Sequence, residues 1–247
     1  MTRNTVTIAQ QDFDVEDLIL INEQRAASYG FLSRLFNSEI DTPMFEEVCR
    51  ADYPVKTGTA DVDEGYRLMA GFLGSRWESS LEELAVDYSR VFIGHGMTAY
   101  SAAYPFESVY TSEKRLLMQG ARDEVLAIYK ASGLNKKASW KEGEDHIALE
   151  LEFQQILCCR IVESLRSGSI GRTHKLLLTQ QNFLEDHLIS WIPMLTADMK
   201  KFAKTDFYLG LAFLTEGFLN LDQEFLAMVL NTNLGPQHSQ LLDQNQE

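Results

Sequence analysis

From Val15 onward the apolar residues fall at three- and four-residue steps. Val15, Leu18, Ile21, Tyr29, Leu32 and Phe36 share one face of a helix of about six turns, with no strand-like alternation. The same period predicts helices over 66–77, 81–92, 122–131, 147–165, 174–187 and 207–230. The expected fold is therefore all-α: a single globular domain over 1–247 with about nine or more helices. Helical groups at 14–92 and 109–235 flank a loop at 93–108 whose length marks it as functional or mobile.

Local punctuation agrees with these boundaries. Ser80 with Glu83 reads as a capping box, Pro43 as the opening of a short helix, and Gly133 and Gly235 as helix stops.

The helix at 147–165 is apolar over most of its circumference. Ile147, Leu151, Cys158, Ile161, Val162 and Leu165 share a sector that Leu149, Phe153, Ile156 and Leu157 widen, so this helix is expected at the centre. It follows the segment GEDH at 143–146. Asp145 is placed to accept hydrogen bonds from the first turn of that helix. Glu150 lies inside the apolar arc, and His146 stands one turn before it, which predicts a partly buried His/Glu pair. Such a pair serves proton transfer, ligand recognition or simple polar satisfaction, and the residues alone leave all three open.

Composition narrows the choice. A core is well supplied by 45% hydrophobic residues, 11% aromatic, and the formal charge of -14, from 22 basic against 36 acidic residues, disfavours nucleic-acid binding. The same balance suits a protein that receives a basic peptide, or one kept soluble by its charge. No apolar run has the length of a secretory signal or a membrane span, so the expected location is the cytoplasm, without membrane insertion. Cys49, Cys158 and Cys159 form neither a disulfide framework nor a CxxC pair, and buried reduced thiols are expected.

No metal or cofactor is expected. A di-iron helical bundle needs Glu three residues before His, yet Gly143, Gly171 and Leu184 occupy those places. HExxH, the P-loop and the GxSxG elbow are absent, and GHGMTA at 94–99 follows a helix where a dinucleotide fingerprint needs a strand. Tyr100, Tyr104, Phe106 and Tyr110, with Trp77 and Trp140, either line a groove for an apolar segment or cover the loop itself.

Three ordered segments resemble the TorD/DmsD/NarJ family of cytoplasmic molybdoenzyme chaperones, also called redox enzyme maturation proteins. Glu142, Gly143, Glu144, Asp145 and His146 stand in register with that family's E-P-x-D-H motif. Pro105, Phe106, Ser108, Val109 and Tyr110 match its loop before a helix, and His187, Leu188, Trp191, Phe207, Tyr208 and Leu211 match its downstream segments. Gly143 departs from the motif by replacing proline, which releases the backbone before the helix from a fixed φ.

The resemblance implies an all-helical chaperone, a monomer or domain-swapped dimer, that is not an enzyme. Its partners would be an apo molybdoenzyme catalytic subunit and the twin-arginine leader of that subunit, held until cofactor insertion and kept from export until then. By the same resemblance Asp145, His146 and Glu142 are expected to recognise the leader, with Tyr104, Pro105, Phe106 and Tyr110 as its groove. The competing expectations are a metal-dependent or acid/base enzyme using His146, Glu150 and His187, and a generic helical adaptor.

Overall fold

The computed structural model describes residues 13–54, 56–94, 101–113, 116, 117 and 119–232, and among these it contains α-helices and no strand. In chain order the helices are α1 (Val15–Asn37), α2 (Thr42–Arg50), α3 (Ala60–Gly74), α4 (Ser80–Tyr88), α5 (Glu107–Thr111), α6 (Gly120–Ala131), α7 (Ile147–Arg166), α8 (Ile170–Leu184), α9 (Ile192–Phe202) and α10 (Asp206–Leu230). Two of them run on into single π turns, α4 through Ser89–Ile93 and α8 through Glu185–Ile189.

The predicted core helix is the core helix. Ile147, Leu151, Cys158 and Ile161 of α7 are all fully buried, and α7 lies along α1, which contributes Leu32, Leu35 and Phe36. The second long contact joins α3 to α10 and depends on residues without a side chain. A Cβ on Gly65 would stand 2.7 Å from the Leu214 amide nitrogen, and one on Gly210 would stand 2.7 Å from the Gly65 carbonyl oxygen. Backbone meets backbone there, closer than any other residue permits.

The seam between α1 and α10 is bridged by charge. Arg25 donates from Nε to Asp222 Oδ1 at 2.5 Å and from Nη2 to Oδ2 at 2.9 Å, while Tyr29 donates to the same carboxylate at 2.6 Å. Arg25 also lies over the Phe225 ring, 4.7 Å from its centroid. All three polar groups are buried, so each must be paired to stay there.

Several local expectations need correction. The Ser80–Glu83 capping box does not form: α4 begins at Ser80, whose hydroxyl accepts from the Trp77 amide at 2.8 Å and so closes the preceding turn. Helix α9 was not among the expected helices, although Ile192, Leu195, Thr196 and Met199 are buried at helical spacing, and α5 lies partly within the stretch expected to be loop. Cys158 is buried against Gln180, but Cys159 is exposed and Cys49 half-buried, so the thiols are not uniformly interior. Pro43 does open α2, and Gly133, at φ 73°, follows the end of α6. Tyr100 and Gly235 lie outside the described residues.

Gly210→Ala should lower stability by about 1–3 kcal/mol through overpacking against backbone that cannot step aside. Gly71→Ala, on the open face of α3, should raise it by up to about 1 kcal/mol. Chemical denaturation of the two variants checks both, and equal effects would contradict the close contact.

Candidate partner-binding site

The segments singled out in the sequence meet each other in a clasp. Residues 104–107 and 145–147 run antiparallel for one bridge, in which Glu107 N–H donates to the Asp145 carbonyl and Ile147 N–H to the Pro105 carbonyl, both at 3.0 Å. Ser108 then donates to Asp145 Oδ2 from its backbone N–H at 3.0 Å and from its hydroxyl at shorter range. The same hydroxyl accepts from the Gln119 amide at 3.2 Å, tying in the start of α6.

Asp145 therefore caps a helix, but not its own. Its carboxylate satisfies the first turn of α5 from across the clasp, and the N-cap of α7 is His146, whose Nδ1 accepts from the Ala148 amide at 3.1 Å. That acceptor role requires a neutral ring. Burial supplies it by pushing the His146 pKa down to about 3, and the edges of Phe106 and Trp140 close over the imidazole at centroid distances of 4.9 and 5.2 Å. The expected His146–Glu150 pair is not formed, because each side chain is taken by another partner.

Glu150 turns instead toward the π turn after α8. Its Oε2 accepts from the Trp191 indole at 3.3 Å, and that N–H also reaches the His187 carbonyl at 2.6 Å. Its carboxyl lies against Glu107, and burial together with Glu107 and Asp145 holds it well above the usual carboxyl range. Glu107 is engaged by His187 Nδ1 at 3.1 Å. Burial disfavours the imidazolium, yet the bond and charge of Glu107 outweigh it and raise the His187 pKa. Tyr110 stacks on Trp191 at 5.6 Å and completes this floor.

The rim is ionic. Glu144 receives Arg122 at 2.6 Å and Lys136 at 3.0 Å, and these contacts overcome the effect of burial and lower its pKa. Lys136 also donates to the Glu142 carbonyl at 2.9 Å. At Gly143 a Cβ would meet Asp145 Oδ1 at 2.7 Å. The glycine is thus fitted to the carboxylate beneath it.

The expected leader-binding residues are brought together but face differently. Asp145 and His146 are 0% and 4% exposed, and Pro105 and Tyr110 are also buried. Tyr104, Phe106 and Trp140 are half-buried, Glu142 is exposed, and Trp77 stands apart at 63% exposure. Beside the clasp a cleft of about 460 Å³ runs between α1 and the start of α7, lined by Arg34, Lys136, Trp140, Leu149 and Phe153 among others. Glu107, Ser108 and Trp191, which carry much of the clasp, had no assigned role in the sequence. Their nearest signal was membership of the aromatic loop and the His-Leu-x-x-Trp segment. Among the described residues no group of His, Cys, Asp or Glu is arranged to hold a metal ion.

The cap predicts a pH dependence. The folded pKa of His146 lies below its unfolded value of 6.5, so its contribution to stability is present above pH 6.5 and is lost as pH falls toward about 3. The loss should approach about 1.4 kcal/mol per pH unit within that window. His146→Asn keeps an acceptor for the Ala148 amide without a titrating ring. The difference in unfolding free energy between the two proteins should grow in favour of the variant as pH falls, and a constant difference would contradict a neutral buried cap.

Residues 58–197, which contain both halves of the clasp, match the family described as nitrate reductase delta subunit. The chaperone protein TorD of Aliivibrio salmonicida is 27% identical over 222 residues, covering 86% of this chain and 99% of its own. That of Aliivibrio fischeri is 28% identical over the same length and coverage. A solved structure of a protein assigned to redox enzyme maturation, from Archaeoglobus fulgidus, aligns over 88% of this chain and 99% of its own with a TM-score of 0.40 and 19% identity. Matched over more than half its length by the family profile, the chain belongs to the nitrate reductase delta subunit family, which includes the TorD and NarJ proteins.

Proposed function

We propose that this protein is a maturation chaperone for a molybdopterin-dependent oxidoreductase. It holds the apo catalytic subunit and its twin-arginine leader in the cytoplasm and delays export until the cofactor is in place. The observation that carries this is alignment with TorD chaperones over 99% of their length, which leaves no room in those relatives for a separate functional domain. The chemistry of the clasp agrees. His146 Nδ1 accepts from the Ala148 amide and Asp145 Oδ2 from Ser108, as in a scaffold, and the chain binds its partner without turning over a substrate.

Leader recognition is assigned to the accessible side of the clasp. Tyr104 and Phe106 offer aromatic surface and Glu142 offers charge, a combination that suits a peptide with an apolar stretch and a basic end. Asp145, His146, Pro105 and Tyr110 hold that surface in shape and are uncovered only if the clasp parts. Charge supports the choice of a basic partner, given a net charge of -14.

Binding of a synthetic twin-arginine leader, measured by calorimetry, tests the assignment. Phe106→Ala with Glu142→Gln should weaken it about tenfold or more, and Glu142→Gln alone, at an exposed side chain, should weaken it with little change in stability. Asp145→Ala with His146→Ala should weaken binding and also lower stability, by about 1–4 kcal/mol for two lost caps. Unaltered affinity in both double variants would remove the clasp as the leader site.

A further inference from the structure

Glu150 is fully buried, and its two oxygens differ. Oε2 accepts from Trp191, while Oε1 meets no N–H or O–H donor. Asp145 is in the same condition, with Oδ2 held by Ser108 and Oδ1 unpartnered at 0% exposure. The groups that face Glu150 are Glu107 from α5, Asp145 from the turn before α7, Tyr129 from α6, and His187 and Trp191 from the end of α8 and beyond. Among them His187 is the group that can take a positive charge, and it is already paired with Glu107. Arg122 and Lys136 are occupied at the rim by Glu144. Two buried carboxyls packed together without a cation of their own do not both ionise.

We propose that a protonated Glu150 set against Glu107 is the bolt of the clasp, that the clasp parts when its proton leaves, and that a guanidinium from a basic partner takes the proton's place. In that exchange the Glu150 O–H breaks, the proton passes to solvent, and N–H donors of the guanidinium reach the carboxylates. The unpartnered oxygens of Glu150 and Asp145 are the acceptors it would meet, and a planar fork of donors suits a pair of carboxylate oxygens. The exchange rests on the leader-binding reading above; the bolt does not.

The mechanical link is short. Glu107 supplies the amide that pairs with the Asp145 carbonyl, and Ser108 beside it carries the Asp145 carboxylate. Ionised Glu150 would repel both Glu107 and Asp145, and so loosens the two segments that the bridge joins. The sign follows from the direction of the shift. A carboxyl raised in the folded state contributes stability below its unfolded value, and the contribution is lost as pH rises through the folded pKa.

Hydrogen exchange at the amides of Glu107, Ser108 and Ile147, corrected for intrinsic rates, reads the opening directly, with amides of α3 and α10 reporting global unfolding. In the native sequence the clasp opening constant should rise about tenfold per pH unit above the ordinary carboxyl pKa and level off once Glu150 titrates in the closed clasp. Glu150→Gln retains an acceptor for Trp191 and a donor for Glu107, and should remove that slope. Equal slopes in both proteins overturn the bolt. Should the variant not fold, infrared spectroscopy of the native protein decides: a protonated carboxyl stretch at neutral pH is expected, and its absence overturns the bolt. For the exchange, a synthetic peptide with two adjacent arginines is titrated in buffers of different ionisation enthalpy. Release of about one proton on binding is expected. Binding without proton release overturns the exchange alone, and no binding overturns the leader reading together with the exchange, leaving the bolt to the hydrogen-exchange result.

Discussion

The structure turns on one carboxylate that caps a helix across a chain crossing. Asp145 stands directly before α7 but serves α5, and by doing so it fastens the segment 104–111 to the entrance of the core helix. A five-residue helix has little stability of its own, since the first turn costs more order than its bonds return. Here the missing acceptor comes from outside, with His187 and Tyr110 anchoring the same segment from below. Everything placed on the accessible side of the clasp, including Tyr104, Phe106 and Glu142, takes its position from that fastening.

Acidic groups crowd the interior around the clasp. Glu107, Glu144, Asp145 and Glu150 are all buried, within a chain whose formal charge is already -14. Each is accommodated by different means: an imidazole for Glu107, Arg122 and Lys136 for Glu144, backbone and hydroxyl donors for Asp145, and, for Glu150, the Trp191 indole with a pKa that burial holds well above the usual carboxyl range. Asp222, buried at the seam of α1 and α10, has a full guanidinium and a phenol, and Asp87 has Arg90, Thr205 and the Lys204 amide. Among the described residues, the buried carboxyl oxygens without a partner are those of Asp145 and Glu150, in the clasp where binding is proposed.

Most of the fold was legible because it rests on periodicity. The 3.6-residue pattern of α1, α7 and α10 is carried by many residues and survives local exceptions, and the central place of α7 followed from how little of its surface is polar. The contacts between the singled-out segments were not legible in the same way. His146 took the cap of α7 expected of Asp145, and Asp145 caps α5 instead, because which of two adjacent residues becomes the cap depends on the backbone angle between them and not on residue type. Glu150 was correctly read as buried, but its partners Glu107 and Trp191 are 43 and 41 residues away in sequence, and no local spacing encodes such a meeting. The close approach of α3 and α10 was hidden for a related reason: a glycine in a helix reads as a weak point until the facing backbone is known.

Gly143 makes the clasp sensitive at a distance. With the carboxylate oxygen of Asp145 lying 2.7 Å from where a Cβ would be, any side chain at position 143 requires that carboxylate to turn. A turned carboxylate holds Ser108 differently, so a change at Gly143 is felt in the first turn of α5, a helix it does not belong to. The smallest residue of the clasp thus governs a helix remote from it in sequence.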